Sequence, residues 1–375
     1  MLKVLFIFGT RPEAIKMAPV INTLKKHPKL RLKICVTAQH RKMLDQVLKL
    51  FHIKPDYDLN LMRKNQSLNN LSSEILLKIK PVFKKFNPNI VFVHGDTTTT
   101  LLASIAAYYE KISVAHIEAG LRTKNIYSPW PEEINRKLTG HIAKFHFSPT
   151  MSSKRNLINE GINKNNIVVT GNTVIDALFW TLKKIKKNKN FSKKFNLKFN
   201  FLNFKKKIIL VTGHRRENFG VGFKNICKSL ATIAKEYEDV QIVYPVHLNP
   251  NVQKPVFKLL KKYKNIFLLK PLEYSEFIFF MDKSYLIISD SGGIQEEAPS
   301  IGKPVLVLRD VTERPEAVKA GTVKLVGTNP NKIIKKTKKL LFDKKTYNKM
   351  KYSYNPYGDG KASKRILNFL IKRIK

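Results

Sequence analysis

Acidic residues are scarce in this chain: 27 Asp and Glu stand against 70 Lys and Arg in 375 residues, a formal charge of +43. Such an excess is the electrostatic footprint of a nucleic-acid or anionic-membrane binder. The lysines, however, crowd segments that read as solvent faces or connections, such as KKIKKNKNFSKK (183–194) and NKIIKKTKKLL (331–341). No nucleic-acid-reading motif accompanies them, so nucleic acid is not the expected partner. Cysteine is nearly absent as well. Cys35 falls on an expected strand and Cys227 on an expected helix, and without a spaced pair there is neither a zinc knuckle nor a disulfide framework. Reduced thiols are expected. Nowhere do about 18 apolar residues run together, which excludes a membrane-spanning helix. The apolar run in MLKVLFIFGTRPE is too short for a secretory signal, so it reads as a buried strand of a cytoplasmic protein. With 16 Gly, 18 Pro, 43% hydrophobic and 10% aromatic residues, the chain is globular rather than collagenous or low-complexity.

Length favours two domains. Short β-branched and aromatic runs, VLFIF (4–8), ICV (34–36), IVFVH (90–94) and SVAHI (113–117), alternate with amphipathic patterns, the signature of a parallel α/β sheet. After Pro12, apolar Ile15, Ala18, Ile21 and Leu24 recur at three-residue steps, so the first strand feeds a tight glycine turn into a helix. The second half restarts with IILVT (208–212), QIVYPV (241–246), LIIS (286–289) and PVLVL (304–308). A repeat is visible in the residues: KVLFIFGTRPE (3–13) echoes KIILVTGHRRE (207–217), and VFVHGDT (91–97) and LIISDSG (286–292) follow at comparable offsets. Two doubly wound domains are expected. The Lys/Asn/Phe stretch 183–206 shows neither clean period and reads as a surface connection between them. In open parallel sheets ligands bind beyond the carboxyl ends of the strands, so the site is expected between the domains.

The candidate chemistry lies at those strand ends. GTRPEAIK (9–16) joins a glycine turn to Arg11 and Lys16 at a helix start, a setting that suits an anion. A surface Arg11–Glu13 pair and a solvated Lys16 explain the same residues. In DSGGIQEE (290–297), Ser291, Gly292 and Gly293 are placed to bring backbone amides close to phosphate, and Glu297 to accept from ribose hydroxyls. Acids end other strands: Asp96 in HGDTTTT, Glu118 in HIEAGLRT, and Glu132 at the start of a helix with an apolar stripe of Ile134, Leu138, Ile142 and Phe145. Glu132 is expected to face away from that stripe. Simpler roles remain open: Glu132 as a helix-start charge paired with Arg136 at i+4, Asp96 and Glu118 as caps or buried links. Together with His214 in TGHRREN, these acids make a plausible proton-transfer set. His214 as a mere turn residue is the alternative. His40, His94, His116, His141 and His247 show no metal-ligand spacing, so no metal and no cofactor is expected.

In their order along the chain, GTRPEAIKMAP, TAQHR, VHGDTTTT, HIEAGLRT, PWPEEINR, TGNTVIDAL, TGHRREN, YPVHLNP, DSGGIQEEAPSIGKPVLVLRDVTERPEAV and NPYGDG closely resemble the non-hydrolysing UDP-N-acetylglucosamine 2-epimerases. The resemblance spans nearly the whole chain. It implies a GT-B architecture: an N-terminal Rossmann-like domain of residues 1–170 plus about 358–375, whose last helix crosses back, and a UDP-binding domain of residues 171–357, with the active site in the cleft. The implied reaction inverts C2 of UDP-N-acetylglucosamine to give UDP-N-acetylmannosamine, through elimination of UDP to 2-acetamidoglucal and re-addition. Arg11, Lys16, His214, Ser291–Gly293 and Arg314 match the family's UDP-binding positions, and Asp96, Glu118 and Glu132 its catalytic acids. Phe277 matches a position beside the uracil, while Leu272 stands where relatives can carry Gln. Gln39, His40, Gln66 and His247 resemble parts of a second, activating UDP-N-acetylglucosamine site. A homodimer supplying N-acetylmannosamine for surface polysaccharide, such as enterobacterial common antigen, is further implied.

Two enzymatic alternatives share the expected fold. A hydrolysing 2-epimerase would release N-acetylmannosamine and UDP, and a GT-B glycosyltransferase would require an acceptor. A basic nucleic-acid-binding module would instead show a steep salt dependence.

Overall fold

The computed structural model describes residues 1–38, 41–61, 63 and 66–373. The chain divides into two compact units: Met1–Ala177 with Tyr357–Lys375, and Leu178–Pro356. The first division falls inside the helix Thr173–Lys187, a few residues beyond the 170/171 boundary expected from sequence.

The first unit is built on β1 (Leu2–Phe8), β2 (Leu30–Val36), β3 (Tyr57–Asp58), β4 (Ile90–His94), β5 (Ser113–Ile117), β6 (Phe145–Ser148) and β7 (Ile167–Val169). All pairings are parallel, in the order β3-β2-β1-β4-β5-β6-β7. Val4 to Phe8 are buried without exception, as a strand covered on both faces requires. One face carries an aromatic row, with Phe6 on Phe92 at 4.9 Å and Phe92 on Phe147 at 6.0 Å. The terminal helix Ala362–Lys372 closes over this row through Phe369, edge-on to Phe147 at 5.6 Å. Asp176 seats the start of that helix by accepting from the Ala362 and Ser363 N–H groups.

The second unit repeats the plan with β8 (Lys207–Thr212), β9 (Val240–Pro245), β10 (Ile266–Leu269), β11 (Leu286–Ser289), β12 (Val305–Val307) and β13 (Val323–Leu325), ordered β10-β9-β8-β11-β12-β13. Counted from its own first strand, the second unit therefore reads 3-2-1-4-5-6 and the first the same with a seventh strand added at the end, the doubly wound order whose reversal opens a ligand crevice beside the first strand. In each unit the echoing motifs GTRPE and GHRRE leave that first strand. The fold is α/β with two Rossmann-like units, the GT-B composition. Among the described residues no helix is long and apolar enough to cross a membrane. Cys35 and Cys227 are buried and unpaired, and burial pushes both thiols up to about 12.

Two expectations from sequence are corrected. The stretch 183–206 is no surface connection: the helix Thr173–Lys187 runs into it and a further helix spans Lys189–Lys198. Phe195, Phe199 and Leu202 are buried, with Phe199 meeting Phe280 at 4.6 Å. Phenylalanines four residues apart form one helical face, and the intervening lysines had masked that period. The helix Glu132–Ile142 is turned the other way from its apolar stripe: Ile134 and Leu138 are exposed, whereas Glu133, Asn135, Arg136, Thr139 and Gly140 are buried. A polar face is buried here because its charges are paired inside. Phe145 belongs to β6, not to the helix.

If the 189–202 segment is core, Phe199→Ala should cost about 3–5 kcal/mol in urea unfolding of the full chain. A solvent-exposed linker would lose no more than about 0.5 kcal/mol.

Candidate active site

Most sequence-predicted residues sit at the carboxyl ends of the strands flanking the two crevices, and each unit holds its own set. In the first unit the turn after β1 is organised from below by Glu13. Thr10 caps the helix Arg11–Leu24, and Glu13 reaches back to accept from the Gly9 and Thr10 N–H groups at 3.1 and 2.7 Å. Its other oxygen accepts from the Thr97 and Thr100 hydroxyls, at 2.8 and 3.3 Å, which ties the turn to the segment after β4. Burial raises the Glu13 carboxyl despite these donors. Glu13 is thus committed to the turn, and Arg11, the first helical residue, is half-buried beside it.

Three acids follow. Glu118, just past β5, adopts φ +63°, a conformation non-glycine residues avoid at a cost of about 1–3 kcal/mol. Its Oε2 accepts from Lys16 Nζ at 2.5 Å and Asn172 Nδ2 at 2.7 Å, with His94 Nε2 at 3.8 Å. Burial pushes His94 down to about 4, against the Glu118 charge and helped by Lys16, so the imidazole is neutral and Lys16 supplies the counter-charge. Asp96 leaves β4 through Gly95, whose carbonyl accepts from His116 Nε2–H at 2.7 Å. Burial drives His116 down to about 3, so it too is neutral and a single tautomer fits that bond. Asp96 Oδ2 accepts from Arg136 Nε and Nη2 at 2.9 and 2.6 Å. Arg136 also donates to Glu133 at 2.8 Å, and Glu133 in turn accepts from the Thr123 and Lys124 N–H groups. The simpler role open for Glu132, a pair with Arg136 at i+4, is not what forms: Arg136 pairs with Asp96 and Glu133. Glu132 keeps one carboxylate oxygen, Oε2, shut from solvent and without a hydrogen-bond partner among the described residues.

Gly120, in the turn after Glu118, fixes how closely this loop approaches the helix Met151–Asn159. Its φ is +91°, and a Cβ there would lie 2.2 Å from the Ser153 carbonyl oxygen.

In the second unit the central group is Asp290, fully buried past the end of β11. Its Oδ2 accepts from the His214 and Arg215 N–H groups, both at 2.9 Å, and from Asn218 Nδ2 at 3.3 Å. His214 is exposed, its ring stacked on His247 at 5.5 Å. Ser291, Gly292 and Gly293 follow Asp290 directly, opening the short helix Gly292–Glu297. Arg314 lies against Gly292, where a Cβ would meet its Cζ at 3.4 Å, and is held by buried Glu296 at 2.7 Å. Glu297 accepts from the Tyr274 hydroxyl at 2.9 Å. Glu313 joins Arg309 at 2.7 Å and Arg215 at 3.7 Å. Burial opposes its ionisation, but the Arg309 hydrogen bond and the two guanidinium charges prevail and hold its carboxyl down at about 2.

Leu272 is half-buried just before the helix Tyr274–Lys283, and Phe277 is half-buried on it. His247 stands beside His214, while Gln66 is half-buried in the first unit ahead of the helix Leu68–Phe86. Gln39 and His40 lie outside the described residues. Among the described residues no group of three or more His, Cys, Asp or Glu could hold a metal ion. Sequence reasoning missed Glu13, Glu133, Arg136, Asn172, Asp290 and Glu296. Of these, Glu13 had a readable signal, the Thr10-x-x-Glu13 spacing of a capping box.

The family model for UDP-N-acetylglucosamine 2-epimerase matches residues 22–371. The chain is 57% identical over 373 residues to the UDP-N-acetylglucosamine 2-epimerase of Campylobacter jejuni, covering 99% of this chain and 97% of that protein. Its identity to the Escherichia coli K12 enzyme of the same name is 56%, covering 98% of each chain. Among solved structures, the Neisseria meningitidis UDP-GlcNAc 2-epimerase bound to UDP-GlcNAc superposes with a TM-score of 0.93 at 56% identity, over 99% of this chain and 100% of that one. A Methanocaldococcus jannaschii UDP-GlcNAc 2-epimerase in complex with UDP-GlcNAc and UDP gives 0.83 at 37% identity, over 99% and 100%.

The Glu313 network has a measurable acid signature. A carboxyl held below its unfolded value contributes stability above that value and loses it as pH falls through the folded one. Wild type should therefore lose about 1–3 kcal/mol more than Glu313→Gln between pH 5 and pH 2 in urea unfolding. Parallel losses would show that the network carries no such energy.

Proposed function

The chain belongs to the UDP-N-acetylglucosamine 2-epimerase family and is an epimerase, and we propose that it interconverts UDP-N-acetylglucosamine and UDP-N-acetylmannosamine without net hydrolysis. The observation that carries this reading is the disposition of the three acids. Asp96 and Glu118 are each bound to a cation, whereas Glu132 keeps a desolvated oxygen with no hydrogen-bond partner among the described residues.

The C2 proton of the sugar is not adjacent to a carbonyl, so rupture of the anomeric C1–O bond must lead. Its electron pair passes to the diphosphate, C1 gains oxocarbenium character, and the C2–H electrons then close a C1=C2 double bond. Glu132, whose free oxygen has no donor to give up, takes that proton. Asp96 and Glu118 support the developing positive charge; once the glucal has formed, one of them takes a proton from solvent and delivers it to the opposite face of C2 while Glu132 gives its proton up to solvent, and UDP adds back to C1. Charge on the departing diphosphate is met by Arg11, His214, the Ser291–Gly293 amides and Arg314; Arg314 is already held by Glu296 and the His214 turn by Asp290, so these two require little reorganisation. Glu297, held by Tyr274, accepts from the ribose. Leu272 and Phe277 border the uracil, with backbone atoms at Leu272 doing the reading. Gln39, His40, Gln66 and His247 belong to a second, activating nucleotide-sugar site. The enzyme works as a homodimer, and its product feeds surface polysaccharide such as enterobacterial common antigen.

Proton NMR of the full chain with UDP-N-acetylglucosamine in deuterated water tests the reaction. UDP-N-acetylmannosamine carrying deuterium at C2 is expected. Stoichiometric free N-acetylmannosamine and UDP would instead make the enzyme a hydrolase, and no change until an acceptor is added would make it a transferase. Asp96→Asn, Glu118→Gln and Glu132→Gln should each lower turnover by about 10²–10⁴-fold with UDP binding retained. Full turnover in any of them would remove that acid from the mechanism.

A further inference from the structure

Asp290 does two things at once. Oδ2 is saturated by the three N–H donors of the loop after β8, but Oδ1, equally buried, has no hydrogen-bond partner among the described residues. Among the described residues Oδ1 faces the imidazole of His214, whose Nδ1 lies 3.5 Å away. Cap formation needs one oxygen only. A second, dehydrated carboxylate oxygen aimed at a ring nitrogen costs free energy unless that nitrogen carries a proton.

We propose that Asp290 is a positioning residue for His214: it fixes the ring and keeps a proton on Nδ1, so that binding a diphosphate forces a second proton onto Nε2. The proposal rests on the reading above that His214 meets the leaving diphosphate. Its logic is tautomeric. With Nδ1–H turned to a carboxylate, a neutral imidazole presents the Nε2 lone pair, which repels a phosphate oxygen. Only the imidazolium donates on both sides. The groups facing the ring are Asp290 from β11, His247 stacked on it from the segment after β9, and Arg215 on its own loop, itself neutralised by Glu313. Burial lowers the free imidazole, Asp290 raises it, and His247 and Arg215 lower it further. His214 is therefore neutral near pH 8 before the ligand arrives, and the proton comes from solvent. Without Asp290 this coupling disappears, since Asn at the same place can donate to Nδ1 and leave a neutral ring with Nε2–H outward.

Calorimetric titration of the full chain with UDP at pH 8, in two buffers of different ionisation enthalpy, measures the proton uptake. Wild type should take up about one proton per UDP, with affinity falling about tenfold per pH unit above the His214 midpoint. Asp290→Asn should bind UDP with uptake near zero, and its His214 signal should titrate about one pH unit or more lower. Equal uptake and equal titration in the two proteins would overturn the Asp290 role and leave it a loop cap. Nitrogen-15 spectra of wild-type histidines, with His214 assigned from the signal missing in His214→Asn, test the same point without altering Asp290. Both ring nitrogens protonated in the UDP complex at pH 8 is the expected result. An unprotonated Nε2 in a ring that still responds to UDP overturns the proposal alone, and a ring indifferent to bound UDP overturns it together with the phosphate assignment.

Discussion

Each unit rests on one buried carboxylate that holds the turn leaving its first strand. Glu13 does this after β1 and Asp290 after β8, and both accept from consecutive backbone N–H groups. A turn at the end of a parallel strand exposes donors with no ladder partner, and burying them unsatisfied would cost more than burying a single acid that satisfies several. The two solutions differ in origin. Glu13 comes from the helix that follows the turn, whereas Asp290 comes from the neighbouring strand and so also fixes the spacing between β8 and β11. Everything displayed on these turns, Arg11 and Lys16 in one unit and His214 and Arg215 in the other, takes its direction from them.

Positive charge is abundant overall, yet around the candidate acids it is rationed. Asp96 faces the Arg136 guanidinium and Glu118 the Lys16 ammonium, and the histidines nearby are kept neutral by burial. Cations would otherwise lower the proton affinity of every carboxylate in reach and make proton abstraction from carbon harder. Confining most lysines to outer helical faces therefore protects the chemistry of the interior.

The architecture was legible because buried parallel strands are continuous apolar runs. IVFVH, SVAHI and LIIS coincide with β4, β5 and β11 residue for residue. β3, β6, β7, β10 and β13 were not read, since runs so short carry no measurable period; β11 and β12, equally short, were legible as unbroken apolar runs. The Phe191–Phe199 helix was obscured by composition. Among the acids, position at a strand end was readable, but partner choice was not. Arg136 could reach Glu132 along its own helix as easily as Asp96 in space, and only the rotation of that helix decides between them. Asp290 was passed over because it adjoins a serine and two glycines whose meaning was more obvious.

The helix Ala362–Lys372 belongs to the unit made of the first 177 residues, although the whole second unit lies between them in the chain. A growing polypeptide thus makes the aromatic row on β1, β4 and β6 long before it makes Phe369, and Asp176 waits equally long for the Ala362 and Ser363 N–H groups. The second unit, contiguous from Leu178 to Pro356, has no such debt. During synthesis it is able to close its core first, while the unit begun earlier keeps an uncovered apolar face until the helix Ala362–Lys372 has been made.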